Sequence, residues 1–347
     1  MDKASHLSVI LDLSPTQWQL SAQSNVSHPL TLSTFVSHLL AFLNAHMACK
    51  DDNSLAVFGA LPGKSVMLYS TTTPMDEKAV AADANTYRPF KILDTTITQT
   101  ILDQIESISD NDVEAPIDIV GALTKSLCYI NRVTNPANSR SEDATLLPDP
   151  RILIVSVSPD QSSSYISVMN SIFSAQKLKV TIDVCKLHVA DSVFLQQAAH
   201  LTGGSYISIE RPDALLQFLM MSFLPPPSIR QLISVPTQDK IDFRAACFCH
   251  KNIVDIGFVC SVCLSIFCQP VPVCSTCQTK FPMKTLLRLK AAHPHTPPPG
   301  TPPLRSGTPA NSLPRSTSIA PGGTPRQVSN GNPNMLPVAR SNTSATR

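Results

Sequence analysis

Arg151-Ile-Leu-Ile-Val-Ser-Val157 opens the stretch that decides the fold. Ile152 to Val157 is a near-continuous apolar run of strand length, and Tyr165 to Gln176 follows with helical spacing. The pattern then repeats. Lys179-Val-Thr-Ile-Asp-Val-Cys-Lys-Leu187 reads as a strand and Val193 to Leu201 as a helix. Gly203-Gly204 stops that helix and leads into Ser205-Tyr-Ile-Ser-Ile209, before a last helix from Pro212 to Phe223. Apolar strands alternating with helices need cover on both faces. The fold class is therefore α/β, a mostly parallel Rossmann-type sheet with helices on both sides.

Upstream, Leu7-Ser-Val-Ile-Leu-Asp-Leu13 reads as a buried strand ending before Pro15, and Leu32 to Cys49 as a helix. Ser54 to Ala60 and Ser65 to Ser70 are β-like runs joined by Leu-Pro-Gly-Lys, a hairpin signature. Residues 71–93 read as a loop. Asp94-Thr95 is expected to cap a helix running to Ser107, and Pro116 to open another through Ile130. Residues 135–150, rich in Ser, Asn, Asp and Pro, read as a second loop. Downstream, Pro225-Pro-Pro227 breaks the alternation. The expected division is an α/β domain at 1–225, a Pro-rich linker at 226–240, a zinc module at 241–289 and a disordered Pro/Ser/Thr-rich tail at 290–347.

Seven of the ten cysteines fall between Cys247 and Cys277. Four of them read Cys260-x2-Cys263-x10-Cys274-x2-Cys277, two knuckles whose thiolates suit one tetrahedral Zn²⁺. Four thiolates leave no open position for water or substrate, so such a zinc is structural. Cys247, Cys249, His250 and Cys268 would raise the ligand number to eight, enough for two ions. The Cys-x-Cys-His cluster lacks a knuckle, however, so one zinc is expected. In that reading Cys268 packs as a small apolar residue and His250 bonds to backbone. Cys49, Cys128 and Cys185 lie in apolar stretches and read as buried small hydrophobes of a reducing compartment.

With 43% apolar residues among 347 the chain can build a sizeable core, while thirty prolines are too many for a uniformly globular protein. Five arginines and no acid follow residue 290, so the tail carries +5 and the remainder −3 of the net +2. Such a body makes no electrostatic case for wrapping DNA or lying on an anionic membrane. No secretory leader is legible and no segment reads as a membrane span, which indicates a soluble intracellular chain. G-x-S-x-G, G-x4-G-K-[ST] and H-E-x-x-H are all missing, and eleven glycines are few for a nucleotide-binding α/β enzyme. The expectation is a non-enzyme without small-molecule substrate, membrane contact or sequence-specific nucleic-acid binding.

The strand ending in Asp12-Leu-Ser-Pro-Thr16, followed by helix, hairpin and alternating α/β, resembles a von Willebrand factor A (vWA) domain. In that family the first strand supplies D-x-S-x-S to a metal-dependent adhesion site, and Asp12, Ser14 and Thr16 can fill those places. The second loop should add a Thr, where Ala115-Pro116-Ile117 stands here. The third should add an Asp directly after its strand, where the first acid is Asp160. Three oxygen ligands from one loop make a poor Mg²⁺ site, so Ser14 and Thr16 are expected to shape a turn.

Arg244-Ala-Ala-Cys-Phe-Cys-His250, Gly257-Phe-Val-Cys-Ser-Val-Cys-Leu-Ser-Ile-Phe-Cys268, Thr202-Gly-Gly204 and Phe223-Leu-Pro225 narrow the resemblance. They are similar to the smaller vWA-type zinc subunits of the core of TFIIH, the general transcription factor that also serves nucleotide excision repair. The resemblance implies a nuclear, non-catalytic scaffold paired with the larger vWA and zinc subunit, which supports the XPD-type helicase. Two rivals remain. A RING-like ubiquitin ligase would need eight ligands and two zincs. A nucleic-acid-binding zinc ribbon would use Lys280, Lys284, Arg288 and Lys290, but it lacks stacking aromatics other than Phe281. Thr296, Thr301, Thr308 and Thr324 each precede proline, the minimal target of a proline-directed kinase.

Overall fold

The computed structural model describes residues 3–23, 28–72, 85–109, 112, 114–134, 148–160, 165–188, 191–230, 232–233, 236, 241, 243–250 and 252–292. The expected loops at 71–93 and 135–150 fall partly outside these residues, and the four threonines and nearly all of the 290–347 tail lie wholly outside them.

Six strands form one sheet in the order β3-β2-β1-β4-β5-β6. They are β1 (Ser5–Asp12), β2 (Ser54–Leu61), β3 (Lys64–Ser70), β4 (Asp149–Ser156), β5 (Thr181–Leu187) and β6 (Tyr206–Ile209). All neighbours are parallel except the β2–β3 hairpin. The order reverses between β1 and β4, which makes the carboxyl ends of these two strands the switch point where α/β sheets place their sites.

Side-chain alternation along β1 assigns the two cores. Leu7, Val9 and Leu11 face one cluster with Phe35, Leu39, Phe42 and Leu43 of α2 (Leu32–Cys49) and Ile97 of α3 (Arg88–Glu106). Ile10 faces the other, built from α4 (Ile119–Thr134), α5 (Tyr165–Lys177) and α6 (Val193–Thr202). By length and composition alone α2 could cross a membrane, contrary to the sequence reading. Its buried face, Phe35 to His46, is instead spent on the sheet.

Three local expectations fail for identifiable reasons. Pro15 does not merely end β1: it opens a short helix α1 (Pro15–Ser21), with Trp18 buried and its Nε1 donating to the Asp12 carbonyl at 2.8 Å. Helix α3 starts at Arg88, six residues before the expected Asp94 cap. Pro89 suits its first turn, and Asp94 lies inside it, accepting from Asn44 Nδ2 at 2.9 Å. Cys185 is buried as expected, but Cys49 and Cys128 are exposed. The helical stop at Gly203 holds, at φ +73°, the left-handed conformation that glycine adopts without strain.

Two histidines are buried neutral. His6 bonds to Ser54 Oγ (2.8 Å) and Ser8 Oγ (3.0 Å), and burial pulls its pKa down to about 4. Burial, and then the positive charge of Arg151, bring His46 to about 4 as well. Below pH 6.5 the unfolded chain takes up protons on both imidazoles while the folded chain does not. Stability should therefore be level above pH 6.5 and fall as pH drops toward 4, by about 3 kcal/mol per histidine at most. Urea unfolding at pH 7.5 and 5 checks this, and replacing either histidine by glutamine should flatten the slope.

Candidate metal centres

At the switch point, Asp12 is committed to the protein itself. Its Oδ1 accepts from Ser14 N (3.2 Å), and its Oδ2 from Val157 N (3.0 Å) and Ser158 N (2.7 Å). Ser14 caps α1 by accepting from Gln17 N, and its hydroxyl lies 3.1 Å from Thr16 Oγ1. Asp160 is held by the start of α6, where it accepts from Ser192 Oγ and from Phe194 N (3.2 Å). The charge the cation would bring in a vWA site is supplied by the chain: the fully buried Lys186 donates to the Ser158 carbonyl and to Ser156 Oγ (3.4 Å). Burial lowers its pKa, while Asp12, Asp160 and Asp191 oppose the shift. A hard cation needs about six oxygens, and the ones gathered here already accept hydrogen bonds. Asp12, Ser14 and Thr16 therefore make a turn and a helix cap.

The cysteine-rich region is built from short strands, β7 (Ala245–Ala246) with β8 (Ile253–Val254), and β9 (Phe258–Val259) with β10 (Ile266–Phe267). A helix, Met283–Ala292, follows and carries Lys284 and Arg288 of the basic run. Cys260, Cys263, Cys274 and Cys277 place their sulfurs within 4.8 Å of one another. Cys260 and Cys277 are 3.7 Å apart, and Cys263 and Cys274 3.5 Å. A tetrahedron with Zn–S of about 2.3 Å has edges of about 3.8 Å, so the donor set fits zinc.

The two knuckles repeat each other residue by residue. Cys260-Ser-Val-Cys-Leu-Ser265 and Cys274-Ser-Thr-Cys-Gln-Thr279 share C-S-x-C-x-[S/T]. Leu264 and Gln278 take the same left-handed φ, +59° and +61°, and their N–H groups return to the Cys260 and Cys274 carbonyls at 3.0 Å. Ser265 and Thr279 set their hydroxyls 3.1 and 3.0 Å from Cys263 and Cys277. These hydroxyls, with the backbone N–H groups beside them, lower both thiol pKa values, that of Cys263 to about 6. They favour the thiolate form that binds metal. The repeat is visible in the sequence once the residues around the cysteines are aligned, and a count of cysteine spacings passes over it.

Cys247, Cys249, His250 and Cys268 also converge, with ligand atoms within 4.8 Å. His250 Nδ1 lies 3.2 Å and Cys249 Sγ 3.5 Å from Cys268 Sγ. This corrects the placement of Cys268 as a packing residue and of His250 as a backbone partner. Spacing along the chain hides the cause. Cys247 N bonds to the Asn252 carbonyl (2.9 Å), and Phe248–His250 form a turn. Phe248 N then bonds to the Ile266 carbonyl (2.7 Å), which brings that turn against β10, two residues before Cys268. The missing knuckle is replaced by a strand contact. Two Cys/His groups can thus hold metal ions, and they interleave: Cys268 of one group lies in sequence between the two pairs of the other.

The region also packs on the α/β part, the two lying within one compact unit. Ala246 is buried in the α4–α6 core, Gln197 Nε2 donates to the Arg244 carbonyl (3.2 Å), and the His200 and Phe243 rings lie 5.3 Å apart.

A family model described as transcription factor Tfb4 matches residues 4–278, spanning both the sheet and the eight candidate ligands. General transcription and DNA repair factor IIH subunit tfb4 of Schizosaccharomyces pombe is 41% identical over 289 residues, covering 82% of this chain and 91% of that one. General transcription factor IIH subunit 3 of Dictyostelium discoideum is 40% identical over 265 residues, 73% of this chain and 69% of that one. Among solved structures, the TFIIH p34 N-terminal domain superposes with a TM-score of 0.53 at 29% identity, over 63% of this chain and 97% of that one.

Proposed function

Because the chain belongs to the Tfb4 family of transcription factors, we propose that it serves as a non-catalytic subunit of general transcription and DNA repair factor IIH, acting in the nucleus in transcription initiation and nucleotide excision repair. The observation that carries this is the reach of the likeness, which runs from the first strand through all eight candidate ligands. Its work is to hold other subunits in place, chiefly the larger vWA and zinc subunit that supports the XPD-type helicase. We assign zinc to both Cys/His groups. Zinc there ties the 241–289 module into a rigid platform beside the α/β domain of 1–225, with 226–240 as the connection and 290–347 as an appended tail.

One observation favours a second reading. Eight ligands in two interleaved groups meet the requirement of a RING-like ligase, so zinc count does not separate the two. Subunit composition does. Native mass spectrometry of the tagged chain purified gently from nuclear extract should show it with a second vWA and zinc subunit and two helicases, and with two zincs. A lone chain with two zincs that transfers ubiquitin in a reconstituted assay would overturn the subunit reading.

A further inference from the structure

The carboxyl end of β4, with α4, α5 and α6, borders a cavity of about 40 Å³ that the subunit role leaves without a purpose. Its wall is apolar, formed by Ile119, Val120, Val168 and Leu195, and its polar floor includes Ser158 and Asp160. By this measure a single water needs about 10–15 Å³, so the space admits the last few atoms of a side chain.

Two independent features say which atoms. The first is Ser158 Oγ, which lines the cavity and finds no hydrogen-bond partner among the described residues although Ser158 is only 5% exposed. A buried hydroxyl without a partner is left desolvated and unpaired, and an incoming donor would satisfy it. The second is charge. Lys186 lies beside the cavity floor, donating to the Ser158 carbonyl, and three carboxylates, Asp12, Asp160 and Asp191, act on it. The positive end of α6 offsets part of the excess at Asp160. The remainder is negative, in a water-poor site where a second cation is attracted and an anion repelled. A divalent ion lacks the free oxygens it needs, as the bonds of Asp12 show. A lysine or arginine side chain supplies what fits: an apolar stem for the wall and a donor tip for Ser158 and Asp160.

We propose that this cavity receives the side chain of a lysine or arginine from a protein partner. The polarity is the reverse of a metal-dependent adhesion site. There a bound cation grips the partner's carboxylate, whereas here the chain's own lysine fills the cation's place and the remaining acid grips a partner's cation. That the partner is a protein rests on the subunit reading above, but the preference of the cavity for a cation does not.

The first test therefore uses the full chain alone. Its ¹³C-methyl signals from Ile119, Val120, Val168 and Leu195 are followed while N-acetyl-lysine methylamide, its arginine counterpart, the uncharged norleucine analogue, the glutamate analogue or Mn²⁺ is added. The two cationic probes should shift these methyls. Norleucine should bind at least fivefold more weakly, and Ser158→Ala should weaken the lysine probe several-fold without lowering the Tm. An equal response to norleucine, a response to glutamate, or stoichiometric Mn²⁺ broadening at these methyls would each overturn the proposal. The second test is zero-length carbodiimide coupling in the assembled complex, with Ser158→Trp, which plugs the cavity, as comparison. A partner lysine joined to Asp160 in wild type and lost in the plugged variant supports the proposal. If Ser158→Trp leaves the complex's affinity unchanged, no partner side chain enters and the proposal fails, even where the subunit assignment stands.

Discussion

Replacing Cys260 by serine in the full chain is expected to remove zinc from both Cys/His groups, although the residue belongs to one. Apparent zinc affinities of small modules correspond to about 10–16 kcal/mol, and in a region of two-residue strands that energy is folding energy. The first group closes over Phe267, which packs with Cys260 and Cys274 and sits beside Cys268 of the second group. Loss of the first zinc therefore releases the strand pair β9–β10, and with it the segment that presents Cys268 to Cys249 and His250. Elemental analysis should read two zincs per wild-type chain and fewer than one per variant, and trypsin should cut within 241–289 while leaving the α/β part intact. Cys268→Ser attacks the same link from the other side. Because the knuckles Cys260–Ser265 and Cys274–Thr279 carry their own turn bonds, one zinc should survive there. A wild-type content of one zinc, unchanged in Cys268→Ser, would refute the second centre.

The sequence made these elements legible to different depths, for physical reasons. The sheet was readable because its central strands are buried on both faces, so Ile152–Val157 carries a near-continuous apolar run and Lys179–Leu187 sets Val180, Ile182, Val184, Cys185 and Leu187 at strand spacing. The first group was readable because a CxxC knuckle is local: its geometry depends on six consecutive residues. The second was not, because Cys268 reaches His250 only through the Phe248–Ile266 backbone bond, which no residue type announces. Lys186 left a trace, a charged residue in a buried strand, but its meaning required seeing that its ammonium ends among the residues of an adhesion-type metal site. Helix α3 was misplaced because Asp94-Thr95 imitates a cap, while Asp94 is in fact held by Asn44 of α2, a contact between elements distant in sequence.

The second charged residue in β5, Asp183, carries the other large prediction. It is 1% exposed and receives a two-pronged pair from Arg230, Nη1 to Oδ1 at 2.5 Å and Nη2 to Oδ2 at 2.7 Å, with Ser205 N adding a third bond at 2.9 Å. Arg230 ends a short helix, Pro227–Arg230, and also donates to the Pro225 carbonyl. Arg151 is buried beside it, donating to the Phe223, Leu224 and Pro225 carbonyls, and burial takes its pKa down to about 10 against the support of Asp183. Asp183 pairs with Arg230 and gives Arg151 the largest of its supporting charges, and the two guanidiniums together fix the proline segment that leads to the metal-binding region. Asp183→Asn leaves both positive charges buried and should cost about 3–5 kcal/mol, a large part of the 5–15 kcal/mol typical of a whole domain. A buried pair replaced on both sides need not cost as much, since its formation barely exceeds its desolvation. The double variant Asp183→Leu with Arg230→Met should therefore unfold at higher urea than Asp183→Leu alone. If the two losses simply add, Arg230 is held by its carbonyl contacts and the ion pair contributes nothing. If the double variant recovers stability, the pair's role is to orient the exit of the chain from the sheet, and that variant should keep the α/β domain folded while loosening the docking of Ala246 and Phe243 against α6.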